Sequence, residues 1–255
     1  MTAVDAVIAG ILQGITEFFP ISSSGHLVLL NHIFGFAEPQ MAFDIQLHLG
    51  TLLAIAVFFR RDIASLFTSR RGLLLAIAVG TIPALIAGVA FKKYLESFFA
   101  GGRATGYGFI ITALWLLAGQ FYGDRFGVKR PPAGGGVDTR KAIIIGLAQA
   151  VALVPGISRS GATISTGLMC GADREASFRF SFLLAIPVIL AASAFEAFTS
   201  RNGMAFTAVS VSGILAAFAA GLITLKILSG IVKTGRLYYF GAYCLIAGII
   251  ALVIL

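Results

Sequence analysis

Two short stretches interrupt an otherwise apolar chain, and one is a copy of the other. The first, Glu17-Phe18-Phe19-Pro20-Ile21-Ser22-Ser23-Ser24-Gly25-His26, sets a carboxylate, a run of hydroxyls and an imidazole among hydrophobic neighbours. One constant, ungapped shift lays Gly10, Gln13, Ile21, Ser22, Ser24 and Gly25 onto Gly146, Gln149, Ile157, Ser158, Ser160 and Gly161. The same shift brings Ser23 onto Arg159 and Glu17 onto Leu153. The second copy thus supplies a guanidinium where the first has a hydroxyl, and the first alone keeps the carboxylate. The copies are complementary rather than redundant.

What surrounds these stretches decides what they can become. Of 255 residues, 58% are hydrophobic and 12% charged, with a mean hydropathy of +0.95, against about half apolar and roughly a quarter charged in a soluble domain. Apolar segments at residues 43–59, 73–91 and 106–122 follow the first copy, and others at 178–199, 204–229 and 237–255 follow the second. Each is near the ~20 residues that cross a bilayer as a helix. The expected fold is all-α, a polytopic membrane protein forming one integral membrane domain over residues 1–255. Its first repeat covers about 1–122 and its second about 142–255. Residues 123–141, with Pro131-Pro132 and Gly134-Gly135-Gly136, have the composition of an exposed linker.

Each motif segment reads as a helix that breaks, at Pro20 or at Pro155-Gly156, and restarts after a serine cluster suited to capping the next turn. Broken backbone at membrane depth persists only where protein or water satisfies it, so each motif is expected to form a re-entrant helix-loop-helix hairpin. Three crossings separate the hairpins, an odd number, and they must therefore enter from opposite faces. The result is an inverted-topology repeat of six transmembrane helices and two hairpins whose tips meet near the middle of the protein. In that topology Arg60, Arg61, Arg70, Arg71, Arg125, Lys129, Arg130, Arg140, Lys141, Arg174, Lys233 and Arg236 lie on one side. Only Lys92, Lys93, Arg103 and Arg201 lie on the other, which makes the first side cytoplasmic and places both termini outside.

Other classes are disfavoured. The net charge of +8 comes from residues in short loops between apolar segments, as membrane topology requires, rather than from a nucleic-acid-binding face. The N-terminus lacks the basic run of a secretory signal and is expected to belong to the fold. Cys170 and Cys244, isolated in apolar context, make neither a disulfide framework nor a metal site and read as packing residues.

Two helices that restart at serine-rich turns offer free amides and two positive dipole ends to an anion. Arg159 adds a planar fork that pairs with phosphate oxygens and that is expensive to leave in hydrocarbon without an anion. Ser158 and Ser160 flank it, and Thr163, one helical turn on, adds a hydroxyl on the same face. The first motif brings Glu17, Ser22, Ser23, Ser24 and His26, residue types for nucleophilic attack and proton transfer. Ser23 can attack phosphorus with His26 as base or acid, and the reverse assignment, His26 as nucleophile, stays open. Glu17 can orient His26 or, with Gln13 one turn earlier, hold a divalent cation bridging the phosphates.

The segments Gln13-Gly-Ile-Thr-Glu17-Phe-Phe-Pro-Ile-Ser-Ser-Ser-Gly-His26 and Pro155-Gly-Ile-Ser-Arg-Ser-Gly-Ala-Thr163 closely resemble the two signatures of the undecaprenyl-diphosphate phosphatase, or bacitracin resistance, family. The resemblance spans essentially the whole chain. It implies an enzyme that removes the terminal phosphate of undecaprenyl diphosphate, recycling the carrier lipid of peptidoglycan synthesis at the outer side of the bacterial cytoplasmic membrane and conferring bacitracin resistance. By that resemblance the acidic motif falls on Gln13 and Glu17, the hydroxyl and histidine on Ser23 and His26, and the phosphate-binding segment on Ser158, Arg159 and Thr163. The family is taken to use a divalent cation, Mg2+ or Ca2+, but glutamine at position 13 leaves one carboxylate where two would serve a metal better. The implied partners are the polyprenyl diphosphate and membrane lipids, and a homodimer is left open.

Several residues carry blander readings beside these. His48 and Asp44 open the first full crossing and serve equally well as supports of the site or as interfacial residues, while His32 and Glu196 read as interfacial. Gln149 is as suited to bridging helices as to touching a ligand. The rival to an enzyme is a transporter or flippase of a lipid phosphate, since inverted repeats with broken helices also build carriers. A carrier needs Arg159 and the amides but has no use for Ser23 with His26.

Overall fold

The computed structural model describes residues 2–34, 41–100, 102–125, 136–199 and 206–255, and among these the ordered elements are all helices. The first half comprises α1 (Ala3–Thr16), α2 (Ser23–Phe34), α3 (Met41–Phe58), α4 (Arg60–Leu66), α5 (Arg71–Ala90), α6 (Lys92–Ala100) and α7 (Arg103–Arg125). The second comprises α8 (Thr139–Val151), α9 (Arg159–Met169), α10 (Arg174–Thr199), α11 (Ala208–Thr234) and α12 (Tyr238–Ile254). A helix forms at each of the six expected crossings, within a few residues of its sequence bounds. Helices α5, α7, α10 and α11 are long and apolar enough to span a bilayer. At 18 and 17 residues α3 and α12 are shorter, about 26–27 Å at the rise of an α-helix, a deficit that local thinning and flanking side chains absorb. Most of the expected linker, with Lys129 and Arg130, falls outside the described residues, as do Arg201 and the side chain of Glu196. The short helices α4 and α6 were not expected from hydropathy, because a stretch of seven or nine residues falls far below the length of a crossing.

The polar motifs break their helices as anticipated. Helix α1 starts at a Thr2 cap whose hydroxyl accepts from the Asp5 amide, and α8 at an Asp138 cap that accepts from the Lys141 amide at 2.9 Å. Both arms stop at the motif, and α2 and α9 resume after it. The turns differ in detail. Ser22 has φ +67° in the first hairpin, a left-handed conformation unusual for a residue with a side chain, whereas the second hairpin uses Gly156 at φ +86°.

The halves exchange partners. Helix α1 packs along α11 of the second half, its counterpart α8 packs along α5 of the first, and α7 packs along α12. This reciprocity is what a pseudo-two-fold between the halves produces. Glycines permit it: a Cβ on Gly10 would press into the Gly213 carbonyl, and one on Gly146 into the Gly80 carbonyl. Close backbone approach through small residues is the usual means of helix association in lipid. We therefore expect Gly146→Val to force the second hairpin off α5 and to lower the thermal midpoint in detergent by many degrees. Gly72→Ala should not, since nothing lies within 4 Å of a Cβ there. Thermal unfolding of the purified proteins measures the contrast, and equal midpoints would refute it.

Behind the first hairpin lies the core. Phe18, fully buried, meets Phe182 edge-on at 5.6 Å, and Phe178 and Phe59 complete the cluster. This aromatic wall fixes the tip next to Glu17.

Candidate active site

The two hairpin tips touch. A Cβ on Gly25 would sit 3.0 Å from the Gly156 Cα, and one on Gly161 would sit 3.4 Å from the Pro20 Cβ. The second tip is locked on α7, where Thr112 Oγ1 donates to the Gly156 carbonyl at 3.0 Å and accepts from the Ser158 amide at 2.8 Å. Ser158 caps α9, its hydroxyl accepting from the Gly161 amide at 3.1 Å. Arg159 is consequently the first residue of a buried helix, and its side chain reaches across to the other hairpin.

Glu17 is where the two copies join. Its Oε1 accepts from Arg159 Nη2. Its Oε2 accepts from the Ser23 hydroxyl at 2.6 Å and from Gln13 Nε2 at 3.1 Å, and His48 Nε2 lies 3.5 Å away. The carboxylate and guanidinium side chains are 6% and 16% exposed, so their attraction is little screened. His48 Nδ1 faces the Asp44 carbonyl at 2.8 Å. A carbonyl only accepts, so that nitrogen carries a proton and any exchange with Glu17 runs through Nε2.

A cavity of about 200 Å³ opens over this junction. Glu17, Ser22, Ser23, Ser24, Ser158 and Arg159 line it, together with His48, Gln149 and Ser193. Arg159 Nη1, both side-chain polar atoms of Gln149 and Ser193 Oγ are buried without a hydrogen-bond partner among the described residues. Buried polar groups are normally satisfied, so three such residues around one space mark a site shaped for a polar ligand.

Not every expected residue reaches that space. His26 is turned away: its Nδ1 lies 2.7 Å from the Ser22 carbonyl and its Nε2 2.7 Å from the Tyr243 hydroxyl, and its ring meets Phe109 edge-on. The left-handed Ser22 aims its carbonyl at both the His26 amide and the ring, which explains the swing. Nδ1 must then donate, leaving Nε2 to accept from Tyr243. Thr163 is also absent from the cavity lining: its hydroxyl bonds back to the Arg159 carbonyl at 2.8 Å and meets Ser181 Oγ at 2.6 Å. Ser160 pairs with Ser158 Oγ at 3.2 Å and approaches the Phe19 carbonyl, holding tip to tip. The imidazole that faces Glu17 belongs instead to His48, which sequence left undecided, and Gln149 proves to line the cavity.

The expected cation site gets a poor fit. Among the described residues no three of His, Cys, Asp and Glu gather closely enough to hold a metal ion. Both oxygens of Glu17 are engaged, and a cation there would adjoin the Arg159 guanidinium. Gln13 contributes only one unpartnered carbonyl oxygen.

A chain of this construction is an all-helical, multi-pass membrane protein whose two broken helices set a serine and a carboxylate against an arginine that has a donor to spare. It belongs to the family described as bacitracin resistance protein BacA, which it matches over residues 6–250. It is 41% identical over 272 residues to the undecaprenyl-diphosphatase of Korarchaeum cryptofilum, with 100% of each chain covered. To the protein of the same name from Desulfosudis oleivorans it is 40% identical over 274 residues, with 97% of each covered. The one from Carboxydothermus hydrogenoformans is 40% identical over 266 residues, covering 100% of this chain and 98% of the other.

Proposed function

We propose that this chain hydrolyses undecaprenyl diphosphate to undecaprenyl phosphate and inorganic phosphate. The observation that carries this reading is the junction at Glu17, where Ser23 hydrogen-bonds one carboxylate oxygen and Arg159 the other, with Arg159 Nη1 buried and unpaired beside the cavity. The terminal phosphate takes up that unused donor and the first turn of α9, while Gln149 and Ser193 supply further donors. Once Arg159 shares its charge with the phosphate, Glu17 Oε2 is free to take the Ser23 proton. Ser23 Oγ then attacks the terminal phosphorus, the bond to the bridging oxygen breaks, and the lipid monophosphate leaves. Water cleaves the resulting phosphoserine and releases phosphate. His48, with Nε2 directed at Glu17, is placed to relay the proton.

In this reading a divalent cation, where one takes part, arrives on the diphosphate rather than waiting in a centre built by the protein. Ser22, Ser24 and Ser158 line the phosphate space. The distribution of Lys and Arg supports a cytoplasmic-membrane protein with both termini and the cavity mouth on the outer side.

Phosphate release from undecaprenyl diphosphate by the protein in detergent, with divalent cation and with chelator, is the direct test. Release with cation supplied is expected. None at all would overturn the hydrolase and move the reading to a carrier of lipid phosphates, to be measured as substrate movement across liposomes.

A further inference from the structure

A second recess lies beside the site and is unlike it in character. It measures about 370 Å³ and is formed by the end of α5, by α6 and by the end of the first arm of hairpin two. Tyr94, Leu95 and Phe98 of α6, with Phe91 just before it, line one wall at helical spacing, while Ala87 and Val154 line the rest. The aromatic residues are well exposed, Phe91 at 56% and Tyr94 at 66%. Lys92 and Lys93 sit on the same short helix, as in a segment that rests at a membrane surface with its apolar face inward.

What gives the recess meaning is Leu153. It lines both this groove and the cavity over Glu17, so a single side chain stands between the two spaces. Leu153 stands where the first hairpin has Glu17, so the repeat replaces the reacting carboxylate with an apolar residue at the point where the cavity meets the groove. Gly88 of α5 faces it, since a Cβ there would lie 3.9 Å from Leu153 Cδ1, and the missing side chain leaves Leu153 room to shift on that side.

We infer that the groove between α6 and the end of α8 holds the first isoprene units of the substrate's tail, with Leu153 as the threshold between diphosphate and hydrocarbon. This rests on the function proposed above and adds where the lipid lies. An apolar recess one side chain away from a polar cavity suits a ligand that is charged at one end only. A diphosphate with a single isoprene unit fills little of the groove, so the groove favours longer tails.

Filling the groove should therefore separate the two ends of the substrate. We expect Ala87→Trp and Ala150→Trp to lower kcat/KM for undecaprenyl diphosphate relative to isopentenyl diphosphate, which carries one isoprene unit, by about tenfold or more, the scale on which one or two lost apolar groups act in a hydrophobic pocket. The change should appear in KM. Retained turnover of the one-unit substrate shows that the variant folds. Equal losses on both substrates, or none on either, would overturn the inference. Should the bulky variants fail to fold, a benzophenone amino acid in place of Tyr94 decides the matter, because labelled undecaprenyl diphosphate must crosslink there and unlabelled substrate must compete. Absence of crosslinking in a protein that still hydrolyses the lipid sinks the groove alone. Absence of hydrolysis by the unmodified protein sinks the proposed function instead.

Discussion

Arg159→Ala is expected to reduce phosphate release by roughly 10³-fold or more, the range in which a charge-stabilising arginine acts in phosphoryl transfer. The same substitution should also destabilise the protein, and the two effects have different origins. Arg159 Nη2 pairs with Glu17 while Nη1 remains for the ligand. Removing the guanidinium strands a carboxylate that is 6% exposed, and breaking a buried pair from one side typically costs about 3–5 kcal/mol. Combining Glu17→Gln with Arg159→Met removes both charges and keeps acceptors for Ser23 and Gln13. That double variant should recover most of the thermal midpoint and none of the activity. If it regained neither, the pair would be structural only through its shape. If Arg159→Ala retained full turnover, the anion site would lie elsewhere.

The sequence carried the architecture further than it carried the site. The broken hairpins were legible because serine, glutamate and arginine cannot lie in hydrocarbon without a reason, and because Pro20 and Pro155-Gly156 interrupt the helices there. Glu17 and Arg159 were legible on the same grounds: buried charges of opposite sign need each other or a ligand. Rotations within the hairpins were not. His26 and Ser23 lie three residues apart and should share a helix face. Yet a single left-handed residue, Ser22, turns a carbonyl toward the imidazole and draws it to Tyr243, far off in sequence. Thr163 follows a similar rule, since a threonine inside a helix can bond back to a carbonyl of the preceding turn and so loses its claim on the ligand. His48 reaches Glu17 only because α3 packs against the first hairpin, a tertiary fact with no local signal. The small helix α6 left a trace in the spacing of Phe91, Tyr94, Leu95 and Phe98, but that pattern is too short to distinguish from the end of a crossing.

Ser23→Ala should be the most damaging single change to turnover, lowering it about 10⁴-fold or more, the scale seen when an attacking serine is removed. Its hydroxyl lies 2.6 Å from Glu17 Oε2 and borders the cavity, so the proposed nucleophile and the proposed proton acceptor already touch. Stability should change little, because Glu17 keeps Arg159 and Gln13 as donors. The competing nucleophile is His26, and its geometry makes the two separable. His26 Nε2 would first have to leave the Tyr243 hydroxyl, 2.7 Å away, and rotate toward the cavity. Tyr243→Phe would then free that nitrogen and preserve or raise turnover if histidine attacked. With serine attacking, the tyrosine only steadies the first turn of α2, and its loss should lower the rate modestly. Trapping the reaction with labelled diphosphate decides between them chemically. A phosphoserine survives acid and is lost in alkali, whereas a phosphohistidine behaves the other way. Acid-stable label in the intact protein that disappears in Ser23→Ala fixes the serine as nucleophile, and acid-labile label that persists in Ser23→Ala transfers the role to His26.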